Sequence, residues 1–303
     1  MNFPNGAQFA FTIFDDTDYA TAEKGRPIYD LLFDLKILTT KSVWVFKGKN
    51  TNNLFSGPQT LEDDEYIKFI QSLIKRGFEI GFHNASMMSS KRATTLRALH
   101  KFNELLGFYP RVHANHRDNK ENLYWGADRS SFPLLQFVMR MMRHPDSFTG
   151  HKQESLYFWG DLCKEYITYV RNFVFNEINL CNINPTLPYH DSKKEYVQWW
   201  FSSSDGATVE KFNRLLTPAN QEKLEKEKGV CIAYTHFGYD FVKNGKVNDV
   251  TKKLLIELSK RNGWFVPVST LLDYLREQRV VKECTLFERL RMEFTWVFQN
   301  ILK

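Results

Sequence analysis

Cysteine is scarce in this sequence, and no two cysteines lie at the spacing of a metal-binding finger. The chain has 303 residues and only four cysteines, which lie far apart: Cys163, Cys181, Cys231 and Cys284. This length and spacing exclude a short secreted scaffold held together by disulfides. We therefore predict four free thiols in a reducing compartment.

Long apolar runs are also missing. No stretch reaches the roughly 18 uncharged apolar residues that a membrane-spanning helix requires. The N-terminus lacks the basic segment and the long apolar segment of a secretory signal peptide. These two absences predict a cytoplasmic protein.

Charge of one sign is not concentrated anywhere in the sequence. The net charge is +6, but basic and acidic residues are interspersed, and the sequence contains no arginine-rich arm or nucleic-acid motif. Nucleic acid is therefore not expected as a partner. The 43% of hydrophobic residues suit a globular protein with a sizeable core, and we predict one domain over residues 1–303.

What the sequence does contain is an alternation of strand-like and helix-like segments. Apolar strands are predicted at residues 9–14, 42–46, 78–82, 111–116, 229–236 and 263–269. Such alternation predicts a parallel α/β sheet, and polar residues at successive strand ends favour a closed (β/α) barrel. The aromatic-rich residues 130–215 break this rhythm, and we interpret them as a long insertion.

Polar side chains recur where predicted strands end. They are Asp15, Asp16, His83, His113, His116 and His236. A parallel barrel would bring them to one face. Aspartate and histidine together form a ligand set that suits zinc or another divalent ion, which would also explain two carboxylates after a buried strand.

Three motifs carry a family resemblance. "TIFDD" at residues 12–16 looks like T-F-D-D, and "EIGFH" at residues 79–83 matches E-I-G-x-H. "CIAYTH" at residues 231–236 looks like the family's last motif, an apolar strand that ends in leucine, one or two further residues and histidine. In this order they resemble the polysaccharide deacetylases of carbohydrate esterase family four, the NodB-homology enzymes. Both ends of the chain share this resemblance and the middle does not. Similar rearranged proteins include uncharacterised deacetylase-like members of surface-polysaccharide gene clusters.

The resemblance implies a distorted seven-stranded barrel and a metal-dependent hydrolase that removes an N-acetyl group. It implies that Asp15 is the general base, that Asp16 and His83 bind one divalent metal ion, and that His236 is the general acid. The physical chemistry agrees, because a base, a Lewis acid and a proton donor are the groups that amide hydrolysis needs. Zinc is the expected ion.

Two departures from the family pattern affect the metal site. Met87 stands where the family has its second histidine, and a thioether is a poor zinc ligand. The family's R-P-P-Y motif is absent, and "HANHRDNKENLYWG" stands at about its place. We predict His116 as the replacement ligand, with His113 and Asp18 as open alternatives. Arg117 and Arg129 are alternatives for the cation that would orient Asp15.

The substrate is predicted from aromatic content. Aromatic residues make up 15% of the chain, which indicates either a ring-rich core or a groove lined with rings. We predict that Asn115 and Trp200, or its neighbour Trp199, contact a saccharide or a sugar precursor. The amphipathic segment 285–303 is expected to pack on the body of the protein or on a sister chain, with peripheral membrane contact as the alternative.

Two other functions remain open at this stage. The same metal site would also suit hydrolysis of a small amide or cyclic ureide. Alternatively, Met87 marks a lost metal site, and the protein is a non-catalytic saccharide-binding pseudoenzyme.

Overall fold

A computed structural model describes residues 2–48, 57–142, 148–278 and 283–301. Seven parallel strands close into a barrel, because the seventh strand pairs again with the first. In order around the barrel these are β1 (Phe9–Asp15), β2 (Thr40–Val43), β3 (Glu79–Phe82), β4 (Val112–Ala114), β5 (Tyr169–Phe175), β6 (Trp199–Asp205) and β7 (Val230–Thr235). The predicted (β/α) barrel is thus confirmed.

Three short strands lie outside the closed ring. A hairpin is formed by β8 (Val242–Lys243) and β9 (Lys246–Val247), and β10 (Gly263–Phe265) pairs with the first half of β1. The strand predicted at residues 263–269 is therefore present but shorter, because α9 already begins at Val268.

Helices surround the barrel, as the alternating pattern predicted. They are α1 (Ala22–Asp34), α2 (Asp64–Lys75), α3 (Arg92–Leu106), α4 (Pro133–Met142), α5 (Gly160–Tyr166), α6 (Val209–Leu215), α7 (Pro218–Lys226), α8 (Asp249–Ser259), α9 (Val268–Glu277) and α10 (Leu286–Ile301). Among the described residues, no helix is both long enough and apolar enough to cross a membrane.

The segment 130–215 is not an insertion, because it supplies two strands of the barrel. Apolar periodicity does not predict these strands, because β5 and β6 contain several polar residues. Arg171 and Asn172 lie in β5, Ser202, Ser203 and Ser204 lie in β6, and all five are buried. The rest of the segment contributes α4, α5, α6 and loops, and residues 143–147 lie outside the described residues.

Aromatic rings fill the core, which accounts for much of the high aromatic content. Phe14 and Phe201 meet from β1 and β6 with their ring centroids 6.1 Å apart, and Phe9 packs edge-on against Phe265 at the other end of β1. Burial of one such side chain contributes about 1.5–3 kcal/mol. The four cysteines are thiols rather than disulfides, as predicted.

The C-terminal helix α10 packs on the body of the protein. Its Trp296 lies 5.8 Å from Phe173 of β5, centroid to centroid, and its buried Glu293 accepts a hydrogen bond from the Ser131 amide at 3.0 Å. The predicted packing on the body is therefore present over residues 286–301. Residues 302–303 of the predicted segment lie outside the described residues.

Candidate active site

Asp15 is the last residue of β1, and it is closed off from solvent. Its Oδ1 accepts a hydrogen bond from the Phe237 amide at 2.8 Å. Its Oδ2 accepts one from the Tyr29 hydroxyl at 3.0 Å and lies 3.0 Å from Lys41 Nζ. Burial raises the pKa of Asp15, although Lys41 and the Phe237 amide act in the opposite direction. These contacts make Asp15 an anchor between β1, β2, α1 and the loop after β7.

The sequence-based roles near Asp15 therefore need correction. Asp15 has no exposed surface, and its oxygens contact Lys41, Tyr29 and the Phe237 amide, whereas an oxygen of Asp16 faces His83, so these contacts favour Asp16 over Asp15 as the general base. The cation beside it is Lys41 rather than an arginine. Arg117 has an 89% exposed side chain, and Arg129 stacks on the Trp125 ring at 3.3 Å.

Asp16 is held by a buried arginine. Its Oδ1 and Oδ2 accept hydrogen bonds from the Arg171 guanidinium at 2.8 and 2.6 Å, and this guanidinium lies between the rings of Phe14 and Tyr234. Burial alone would raise the pKa of Asp16, but Arg171 and then His83 outweigh it and keep the pKa below its usual value. Asp16 is therefore ionised, and its Oδ2 lies 3.8 Å from His83 Nε2.

Asp18 stands at the centre of three histidines. Its Oδ1 lies 3.2 Å from His116 Nε2, and its Oδ2 lies 3.2 Å from His83 Nε2 and 3.7 Å from His236 Nε2. Burial would raise the pKa of Asp18, but hydrogen bonds from His116 and His83 bring it well below its usual value. The structure thus brings His83, His116 and His236 together as predicted, around Asp18 rather than Asp16.

The chemistry of this donor set tests whether a metal ion fits. His236 Nδ1 lies 2.9 Å from the Ala207 carbonyl oxygen, which only accepts, so this nitrogen carries a hydrogen. His116 Nδ1 lies 3.0 Å from Asn119 Oδ1. This oxygen can only accept, and the Nδ2 of Asn119 donates to the Ser86 carbonyl oxygen, so His116 Nδ1 also carries a hydrogen.

Nε2 of both His116 and His236 faces the Asp18 carboxylate. Burial alone would lower the pKa of His116, but a hydrogen bond to Asp18 raises it, and without that proton its Nε2 presents a lone pair. Lone pairs that face a carboxylate repel it unless a proton or a metal ion lies between them. A ligand histidine whose other nitrogen is fixed by an oxygen acceptor is the usual arrangement at metal sites. Ligand atoms of Asp16, Asp18 and His236 also lie within 4.8 Å of one another. The residues present therefore fit a divalent ion.

Three further side chains of this site were not found from the sequence. Arg171 lies in the segment that was interpreted as an insertion. Trp44 follows β2, and its ring packs against the rings of His83 and His116 at 6.0 and 5.2 Å. The Tyr234 hydroxyl lies 3.2 Å from His236 Nε2. Aromatic residues in apolar strands usually belong to the core, so no sequence pattern marks these two rings as part of a site.

The two predicted substrate contacts are not available to a ligand. Asn115 is buried, and its side chain accepts from the Leu123 amide and donates to the Leu123 carbonyl oxygen, so it holds a loop together. Trp200 is 1% exposed near the start of β6, whereas the histidine cluster lies where the strands end. Its ring packs against Tyr124, and both predictions are therefore corrected.

His113, the alternative ligand, belongs to the core. Its ring is held between the Phe82 carbonyl oxygen and the Asn115 side chain, each 3.1 Å away. Burial lowers the pKa of His113 to about 3. It therefore stays neutral and does not join the cluster.

Comparison with known proteins finds similarity only among solved structures. A scan of protein-family models and a search of curated proteins both find no match. A Mycobacterium smegmatis protein assigned as a polysaccharide deacetylase superposes with a TM-score of 0.53 at 11% identity, over 94% of this chain and 96% of its own. A similarly assigned protein from Pseudomonas aeruginosa PAO1 gives 0.51 at 11% identity, over 92% and 95%.

The same barrel also occurs in an enzyme of another kind. A GH57-type branching enzyme from Pyrococcus horikoshii superposes with a TM-score of 0.51 at 10% identity, over 95% of this chain and 76% of its own. These likenesses show that the chain has the polysaccharide deacetylase fold, which confirms at the level of the fold the resemblance seen in the three motifs. Because one fold hosts different reactions, the chemistry has to be argued from the site.

Proposed function

We propose that this protein is a metal-dependent hydrolase that removes the N-acetyl group of a saccharide or a sugar precursor. The convergence of Asp18, His83 and His116 within 3.2 Å contacts, at the strand ends of a deacetylase-type barrel, is the observation that supports this most. We assign the binding of one divalent ion, zinc by preference, to these three residues; Asp16 and His236, whose ligand atoms also lie within 4.8 Å of Asp18, take the base and acid roles instead.

The roles of the neighbouring residues follow from their contacts. A divalent ion would supply a Lewis acid for the acyl carbonyl group and would make water easier to deprotonate. Asp16, ionised and held in plane by Arg171, would accept the proton of the attacking water. His236, whose Nδ1 is fixed by the Ala207 carbonyl oxygen, would deliver a proton from Nε2 to the leaving nitrogen.

Metal content tests this proposal directly. We expect purified protein to hold about one zinc or cobalt ion per chain, and we expect His83→Ala and His116→Ala each to release it. His100→Ala is the matched control, because His100 is exposed on α3 outside the cluster. Elemental analysis of the dialysed proteins measures the outcome. A wild-type protein without metal after loading would refute the proposal, and a metal-loaded protein inert towards N-acetyl saccharides would favour the pseudoenzyme.

Tyr234 has an expected role in positioning the acid. With the Nδ1 of His236 committed to a carbonyl oxygen, the Tyr234 hydroxyl is the neutral partner that can hold Nε2 in either protonation state. We expect Tyr234→Phe to slow amide hydrolysis about 10-fold and to spare an activated aryl ester, whose leaving group needs no proton. Comparison of kcat for the two substrates is the measurement, and equal losses for both would contradict this role.

A further inference from the structure

Two exposed tyrosines stand beside the histidine cluster. Tyr19 follows Asp18 directly, and Tyr239 lies three residues after His236, whose carbonyl oxygen accepts a hydrogen bond from the Tyr239 amide at 2.9 Å. The two rings are 5.2 Å apart, centroid to centroid. Tyr19 and Tyr239 are 57% and 44% exposed, so part of each side chain is accessible to a ligand.

The backbone holds this pair in place. Tyr19 has a φ of 60°, in the left-handed region that bulky residues seldom adopt. Gly238 packs directly on the Tyr19 backbone, since a Cβ at position 238 would come 2.4 Å from the Tyr19 carbonyl carbon. The loops that carry Asp18 and His236 therefore meet at this point. Tyr19 keeps an unfavourable backbone conformation although its ring remains exposed to solvent.

We propose that Tyr19 and Tyr239 form a sugar-binding platform at the mouth of the site. Pyranose rings offer apolar C–H faces that stack on exposed aromatic rings, and their hydroxyls can hydrogen-bond to phenolic oxygens. A small acyclic amide has no ring to stack, so the platform favours a saccharide over such an amide as the substrate class. This inference rests on the proposed function, since the platform adjoins the residues assigned to hydrolysis.

Binding without turnover tests the platform separately from catalysis. The probe is the tetramer of N-acetylglucosamine, titrated calorimetrically into protein carrying His83→Ala, which is expected to lack metal. In this background we expect Tyr19→Asn and Tyr239→Ala each to weaken binding roughly 10-fold, and we expect the two phenylalanine variants to keep most of the affinity. Asparagine is chosen at position 19 because it tolerates the left-handed backbone.

A control and a second readout exclude a general loss of structure. Phe33→Ala removes a ring of similar exposure, 42%, at the far end of α1, and it should leave the affinity unchanged. In metal-loaded protein, the two platform variants should lower kcat/KM for the tetramer and not for a small acetamide.

The possible failures are distinct. Wild-type affinity in both variants, or no binding of the tetramer by the parent protein, overturns the platform while metal binding and acetamide hydrolysis can still stand. Absence of metal from the wild-type protein instead overturns the proposed hydrolase, and tetramer binding that depends on both tyrosines would then still support the platform.

Discussion

Asp18→Asn is expected to release the metal ion and to reduce turnover by at least about 10³-fold. The carboxylate of Asp18 contacts all three histidines of the cluster, and an amide is a much weaker ligand. Asp16→Asn should keep the metal and lower turnover by about 10²- to 10⁴-fold, as removal of a general base does. Asp15→Asn should act mainly on stability, because this side chain has no exposed surface.

The three variants together distinguish the structural assignment from the one that the motif implies. Metal content and kcat are measured for each, beside Asp118→Asn as the control, whose side chain is 83% exposed. If Asp15→Asn destroys activity in a stable protein while Asp16→Asn only releases metal, the motif-based roles are right and ours are wrong.

Much of the fold was visible in the sequence because most barrel strands are apolar and end in polar residues. The strands around "TIFDD", "EIGFH" and "CIAYTH" were found in this way, and the barrel they predicted is present. The strands β5 and β6 were missed because the barrel interior at this point is polar. Arg171 lies in β5 and reaches Asp16 from there, so this strand carries a charged residue where the apolar pattern of a buried strand would be expected.

The candidate site was predicted only in part for a related reason. A motif gives the order of residues, but it does not decide which of three aspartates within four positions is the base, which binds the metal ion and which is structural. The structure supplies the missing fact: Lys41 is buried in β2, and a buried lysine requires an acidic partner. That partner is Asp15, so a carboxylate already paired with Lys41 was a poor choice for the catalytic base.

Lys41→Met is expected to lower the free energy of unfolding by roughly 3–5 kcal/mol at neutral pH, because it leaves Asp15 as a buried charge without its cation. Burial already raises the pKa of Asp15 in the native state, and Lys41 opposes that rise. Without Lys41 the native pKa rises further above its unfolded value. A raised native pKa means that stability is lost as the pH increases through it, so the deficit of the variant should shrink in acid.

The double variant Asp15→Asn with Lys41→Met should recover a large part of this loss. The uncharged amide at position 15 can still accept the hydrogen bond of the Phe237 amide on its oxygen, and its NH2 group can donate to the Tyr29 hydroxyl oxygen. Lys47→Met is the matched control, since Lys47 pairs with Asp63 through a 51% exposed side chain and such pairs contribute less than about 1 kcal/mol. Urea unfolding at neutral and mildly acidic pH measures all three variants. If Lys41→Met proves no more harmful than Lys47→Met, or the double variant no better than the single, Asp15 is not the buried anchor that its contacts indicate.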